Sequence, residues 1–462
     1  MVFSSPVFIF LFLPLVYLIN LVIPKRFSNI FLLLFSLIFY AWGEPLYVFL
    51  MIFSALINFY LTIWIDTYSS RRKIILIIAI LFNIGILGLF KYADFLILTV
   101  NGLLNTSFPM LNLPLPIGIS FYTFQTMSYV FDVYNKETSV QRNYFSLLLY
   151  ITFFPQLIAG PIVQYHDIAK QIESRFVTLD NTVHGLRRFV VGLSKKVLLA
   201  NAMAIIVDRL FALPNSEISM PVAWVASIAY LFQIYFDFSG YSDMAIGMGE
   251  MFGFHFKENF NYPYIAMSVQ DFWRRWHISL SSWFRLYLYI PLGGNRKGKS
   301  RAMFNRIFVF FLTGLWHGAS WTFVVWGLYH GLFLLLEQTV LKVERWPVII
   351  RRIYTLMVVL IGFVIFRSET FIQSMIFIQS MFTFTSTTAL AMKELMILIT
   401  PLTIVMFIIS AIASTPIVKM IQVRFKSVVV SYLSYGFTII LWIACLLSLA
   451  ANTYNPFIYF RF

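Results

Sequence analysis

Apolar residues fall along this chain in long continuous blocks, separated by short polar turns. The blocks fit roughly 7–23, 28–42, 46–66, 74–91, 117–134 and 143–160. Further ones fit near 185–211, 222–252, 304–317, 320–341, 348–368, 394–414 and 428–452. Many reach about 17–25 residues, the length at which a helix crosses the hydrocarbon core of a bilayer. The pattern predicts an all-α polytopic membrane protein with about ten to twelve transmembrane helices. No period of 20–50 residues marks an internal repeat. A single integral membrane domain over 1–462 is the simplest expectation.

Residues 255–303 break the pattern. They form the longest weakly hydrophobic stretch and open with "HFKENFNYPYIAMSVQDFWRRWHISLSSWF". Ser268 and Asp271 resemble a capping box, and "PLGG" at 291–294 is a stop signal. At about 100° per residue, Trp273, Trp276, His277, Leu280, Phe284 and Tyr287 share one face. Asp271, Arg274, Arg275, Ser281, Ser282 and Arg285 share the other. The expectation is one amphipathic insert helix, lying at the membrane surface or lining a polar cavity.

Composition sharpens this. The chain is 60% hydrophobic and 11% charged, against roughly a quarter charged in soluble domains. Its net charge of +15 would suggest nucleic acid in a soluble protein. In a membrane protein, cytoplasmic loops rich in Lys and Arg and the anionic lipid beside them explain it, so no nucleic-acid partner is expected. Lys25 and Arg26 follow the first block, "GEP" at 43–45 carries no basic residue, and "TYSSRRK" at 67–73 carries three. That alternation places the N-terminus outside. The basic pair follows the first apolar run, unlike in a cleaved signal peptide. One cysteine, Cys445, excludes an internal disulfide and a multi-thiolate metal site. No histidines stand at i, i+3 or i+4, so no metal is expected. Without GxGxxG or a Walker A motif, a nucleotide fold is excluded.

Chemistry concentrates in "FLTGLWHGASWTFVVWGLYHG" at 311–331, which is free of charge yet holds His317 and His330. Upstream lies the most basic short loop, with Arg296, Lys297, Lys299, Arg301 and Arg306, expected to be cytoplasmic. Eleven residues of helix from Arg306 rise about 16 Å, roughly half of a 30 Å core, which puts His317 near the midplane. A polar ring there is either functional or bonded to a neighbouring helix. Gly314, Gly318 and Ala319 leave room beside it, and Ser320 is placed to cap a new helix from Trp321. His330, between Gly327 and Gly331, reads as a packing residue. Nothing local distinguishes His166, His184 or His255. Asp237, Asp243 and Glu250 punctuate apolar sequence and read as paired struts rather than catalysts.

"DFWRRWHISLSSWFRLYLYIPLGGNR" and "GLWHGASWTFVVWGLYHG" together strongly resemble the membrane-bound O-acyltransferase family, nearest its bacterial alginate O-acetyltransferase-like branch. "FYAWGEP", "LGLFKYADF", "LPIGISFYTFQTMSYVFDVY", "FFPQLIAGPI" and "YFDFSGYSDMAIGMG" resemble it as well. The resemblance implies a ring of helices, thin at its centre, where a cytoplasmic tunnel and an outer funnel meet. It implies that His317 is catalytic and that His277 is its active-site partner. It further implies a bacterial cytoplasmic (inner) membrane location, acetyl-CoA as donor substrate and no tightly bound cofactor. The acceptor implied is a polysaccharide outside the cell, reached through a separate SGNH-type transferase. On this reading Arg296, Lys297, Lys299 and Arg301 are candidates to meet the donor's phosphates. The alternatives are D-alanyl transfer to teichoic acid from a carrier-protein thioester, and a transporter or flippase without chemistry. The latter lacks an inverted repeat to support it.

Overall fold

Lipid offers the backbone no hydrogen-bond partners, so apolar blocks must satisfy their amides within their own segment and become helices. The computed structural model describes residues 1–158, 160–384, 386–425 and 428–451, and among these there are helices and no strand. Residue 452, the end of the last expected block, lies outside them, as does Ala159 within the block 143–160.

Seven described helices are long and apolar enough to cross a membrane, or eight if one bent pair counts as a span. This is a multi-pass membrane protein, with fewer full-length spans than the blocks suggest. The reasons are local. Phe8–Val22 and Phe371–Phe382 are short. Block 143–160 yields a helix at Tyr144–Thr152 and one turn at Phe154–Leu157, broken at non-helical Phe153 before Pro155. Block 394–414 bends by 70° between Ala389–Leu398 and Pro401–Ala413. Pro401 supplies no amide there and holds Thr400 extended.

The chain sorts into two compact units, Met1–Phe189 with Tyr241–Glu258, and Val190–Gly240 with Asn259–Phe462. The first holds α1 (Phe8–Val22), α2 (Lys25–Ala41), α3 (Tyr47–Thr67), α4 (Arg72–Leu104) and α5 (Ile119–Asn135). Phe3, Phe8, Phe12, Phe39 and Phe154 pack ring against ring at its centre. Buried Asn58 of α3 and Asn83 of α4 exchange amide hydrogen bonds of 2.7 and 3.2 Å, the polar link that joins helices in an apolar medium.

Two long helices, α6 (Leu179–Phe211) and α7 (Met220–Met251), contribute to both units. Within the first, Gly185 and Gly247 meet backbone to backbone: a Cβ on either would run into the other's carbonyl oxygen. Beside them Glu250 pairs with His184 at 2.6 Å and Asp243 with Arg188 at 2.9 Å. Within the second unit, Asp237 pairs with Lys196 at 2.7 Å, both side chains 2% exposed. The three acids are struts, as their setting suggests, with lysine and histidine as well as arginine for partners. Cys445 is a buried core residue.

A buried ion pair costs most when only one partner is removed. Asp237→Ala should therefore destabilise the fold by about 3–5 kcal/mol, and Asp237→Leu with Lys196→Met should recover most of that loss. Thermal unfolding in detergent checks it; a double variant no better than either single would show that the pair is not what matters.

Candidate functional site

The insert is not one helix. It forms α8 (Val269–Arg275) and α9 (Ile278–Phe284), with the break at His277, whose φ is +43°. The capping reading holds at its start: Ser268 Oγ accepts from the Asp271 amide at 3.0 Å. The Asp271 carboxylate accepts from the Met267 amide, one residue before the cap. The apolar face assigned from sequence is the buried one, because Trp273, Trp276, His277, Leu280, Phe284 and Tyr287 are all buried. Helical spacing sorts these side chains correctly but does not reveal the kink, which turns on one backbone angle.

A left-handed backbone at a bulky residue costs on the order of 1–3 kcal/mol and persists only where its surroundings impose it. Asn259 supplies the constraint. Its carbonyl accepts from the Ile278 amide at 3.0 Å, and its side-chain oxygen accepts from the Ser279 amide and hydroxyl at 3.1 and 2.9 Å. The same oxygen lies 3.2 Å from His277 Nδ1. Because that oxygen already serves as an acceptor, Nδ1 carries the proton and Nε2 presents a lone pair. Nε2 is buried, with no hydrogen-bond partner among the described residues. Full burial pushes the His277 pKa down to about 3, so the ring is held as neutral imidazole. Asn259 was not singled out from sequence, where an asparagine eighteen positions upstream carries no periodic signal.

His317 ends α10 (Lys299–His317), and Gly318 and Ser320 are extended before α11 (Trp321–Leu341) begins. The helix break therefore falls where the small residues predict it. Ser320 occupies the cap position, but its hydroxyl bonds the Thr322 hydroxyl rather than a backbone amide. Glycines set how closely α10 and α11 approach: a Cβ on Gly314 would strike the Phe323 carbonyl, and one on Gly327 the Phe310 carbonyl. Continuous helix from Arg306 to His317 keeps the rise of about 16 Å intact.

Aromatic edges surround the His317 ring. Trp316, Trp326 and Phe366 lie at centroid distances of 5.0, 4.9 and 5.2 Å, each near perpendicular; Phe366 comes from α12 (Val348–Arg367). His317 is 5% exposed. Trp316 also packs against His277, at 5.9 Å, so the two histidines flank one indole. Sequence reading found the histidines and missed this enclosure, since Trp326 and Phe366 reach His317 only through packing.

His330 is fully buried and shares a second indole, Trp326, with His317. It packs against Trp273, Trp326 and Tyr329, in room left by Gly362, where a Cβ would stand 2.6 Å from Nε2. Arg296, Lys297, Lys299 and Arg301 are all exposed. Their loop turns on Gly293 and Gly294, at φ +106° and +51°, values that favour glycine. The loop opens α10 at its other end, about 27 Å of helix from His317. The structure thus groups His277 with His317 and sets the four basic residues apart. Elsewhere, His166 bridges Asp132 and Asp167 at 2.9 and 3.2 Å. Asp132, Glu137 and His166 lie close enough together to hold a metal ion, a grouping that spacing along the chain does not show.

Comparison with known proteins follows the same lines. The model of MBOAT, the membrane-bound O-acyltransferase family, matches residues 34–377. The chain is 38% identical to the probable alginate O-acetylase of Pseudomonas putida, covering 100% of both proteins. It is 43% identical to the probable alginate O-acetylase of Azotobacter vinelandii over 80% of this chain and 75% of that one. With the peptidoglycan O-acetyltransferase of Helicobacter pylori the identity is 37%, over 80% and 77%.

Proposed function

Because this chain belongs to the membrane-bound O-acyltransferase family, we propose that its acyltransferase activity moves acetyl groups from cytoplasmic acetyl-CoA to hydroxyls of a polysaccharide outside the cytoplasmic membrane. An SGNH-type transferase completes delivery on this reading, and the N-terminus lies outside. The acetylated polymers named for its relatives support the acceptor class. The observation that carries the assignment within the chain is His317: an imidazole at a helix break, enclosed by three rings and sharing Trp316 with the neutral His277.

His317 takes the proton of an acceptor hydroxyl as the oxygen attacks the thioester carbonyl. The C–S bond breaks, a C–O bond forms, and the departing thiolate receives the proton back from the imidazolium. In the covalent variant, a ring nitrogen attacks the thioester first, the C–S bond breaks and the thiolate leaves as thiol with the ring's proton. The acetyl group rests on His317 until the hydroxyl oxygen takes it and returns its own proton to the ring. Both routes develop negative charge on the carbonyl oxygen, in an enclosure with little water to screen it. The bare Nε2 of neutral His277 is an acceptor, which suits it to hold a different donor proton of the substrates, such as that of a neighbouring sugar hydroxyl, while His317 takes the proton of the attacking one.

The test is direct. Purified protein in nanodiscs, supplied with the SGNH-type transferase and a polysaccharide, should release thiol from acetyl-CoA and label the polymer; flux of a substrate without either would contradict the proposal and favour a transporter. Exchanging Arg296, Lys297, Lys299 and Arg301 for glutamine should raise the apparent KM for acetyl-CoA about five- to twentyfold and leave kcat near wild type, as expected for lost uniform binding. An unchanged KM would mean that the loop's charge serves topology alone.

A further inference from the structure

We infer that a basic cavity in the first unit binds the phosphodiester headgroup of an anionic phospholipid. The cavity, of about 470 Å³, is lined by α1 and α2 residues Asn20, Lys25, Arg26, Ser28 and Asn29 and by the 172–177 segment, including Glu173 and Arg175. Three cations face one carboxylate, and none of the three forms an ion pair among the described residues.

Each cation is held by something other than an anion. Lys25 lies over the Phe176 ring at 4.3 Å, and Arg26 over Phe27 at 4.7 Å. Arg175 is pinned more firmly. It donates from Nε to the Phe252 carbonyl at 3.1 Å, from Nη1 to Asn29 Oδ1 at 2.5 Å and from Nη2 to Ser28 Oγ at 2.8 Å, and it stacks on Phe254. Those bonds fix the guanidinium as a wall of the cavity without cancelling its charge. A compact oxyanion would find a preorganised positive site; the Ser28 hydroxyl and Asn29 amide already donate to Asn20 Oδ1 and the Ile172 carbonyl, so its recognition falls to the three cations.

The rim selects the source of that anion. Leu21 and Phe176 on the cavity lining are 50% and 69% exposed, an apolar border that suits acyl chains rather than open water. The positive-inside reading used above for topology sets Lys25 and Arg26 at the cytoplasmic leaflet, where anionic lipids gather beside basic residues. A phosphodiester attached to acyl chains meets both halves of the site; a free phosphate meets one. Nothing in this assignment depends on acyl transfer.

Native mass spectrometry of the full-length protein, released from nanodiscs of phosphatidylglycerol and phosphatidylcholine, tests it. Wild type should retain a bound phosphatidylglycerol, and Lys25→Gln with Arg26→Gln should lower that occupancy about tenfold or more. Exchanging the exposed Arg71 and Lys73 for glutamine should leave it unchanged. Added phosphatidylglycerol should also raise the Tm of wild type and not of the Lys25/Arg26 variant, with inorganic phosphate unable to substitute. Equal retention by wild type and the Lys25/Arg26 variant, or equal loss in the Arg71/Lys73 control, would overturn the site. Loss of acetyl-CoA binding with lipid retention intact would overturn it too, and would assign the cavity to the donor's phosphates. Stabilisation by inorganic phosphate alone would show a free-anion site instead.

Discussion

His317→Ala should abolish acetylation of the polymer in cells while the protein accumulates and inserts at wild-type levels. A positioned acid–base imidazole contributes about 10²–10⁴-fold to rate, and more if it also carries the acetyl group. Alanine leaves a hole among Trp316, Trp326 and Phe366, and such holes lower stability by their own mechanism. His317→Phe answers this, because it fills the enclosure with a ring and removes both nitrogens. Both variants should be inactive, and His317→Phe should keep a Tm within a few degrees of wild type. Normal acetylation by either variant would discard the assignment.

His277→Asn should fold and yet lose about 10–100-fold in kcat. The backbone at 277 is left-handed, and asparagine adopts that conformation more readily than most residues. The substitution therefore keeps the kink between α8 and α9 and removes the bare Nε2. A loss in kcat with little change in the KM for acetyl-CoA is the mark of an interaction made in the transition state. His277→Ala, which has no such backbone tolerance, should also lower Tm. Wild-type kcat in His277→Asn would reduce His277 to a structural residue that holds Trp316.

Blocks of apolar residues made the helical, multi-pass character legible, because lipid forces that outcome on any such segment. A break was legible where small residues mark it, at Gly318–Ser320, whereas the apolar block 394–414 ran on through Pro401, where the helix breaks. Breaks were hidden where tertiary contacts impose them. His277 has nothing in its local sequence to announce a left-handed backbone; Asn259 enforces it from eighteen residues away. His317 stood out because an imidazole in an apolar run is costly. Its enclosure did not, since Trp326 and Phe366 are ordinary apolar residues until packing turns their edges toward the ring. The acids of α7 were readable as struts from burial cost alone, but their partners on α6 required the structure.

On the proposed mechanism the imidazole of residue 317 carries the acyl transfer. The most direct test of that role is thiol release from saturating acetyl-CoA by purified protein in nanodiscs, supplied with the SGNH-type transferase and a soluble polysaccharide, comparing wild type with His317→Phe at matched amounts of folded protein. Wild type should release thiol steadily, and the variant only at background. Release by His317→Phe at the wild-type rate would contradict that role.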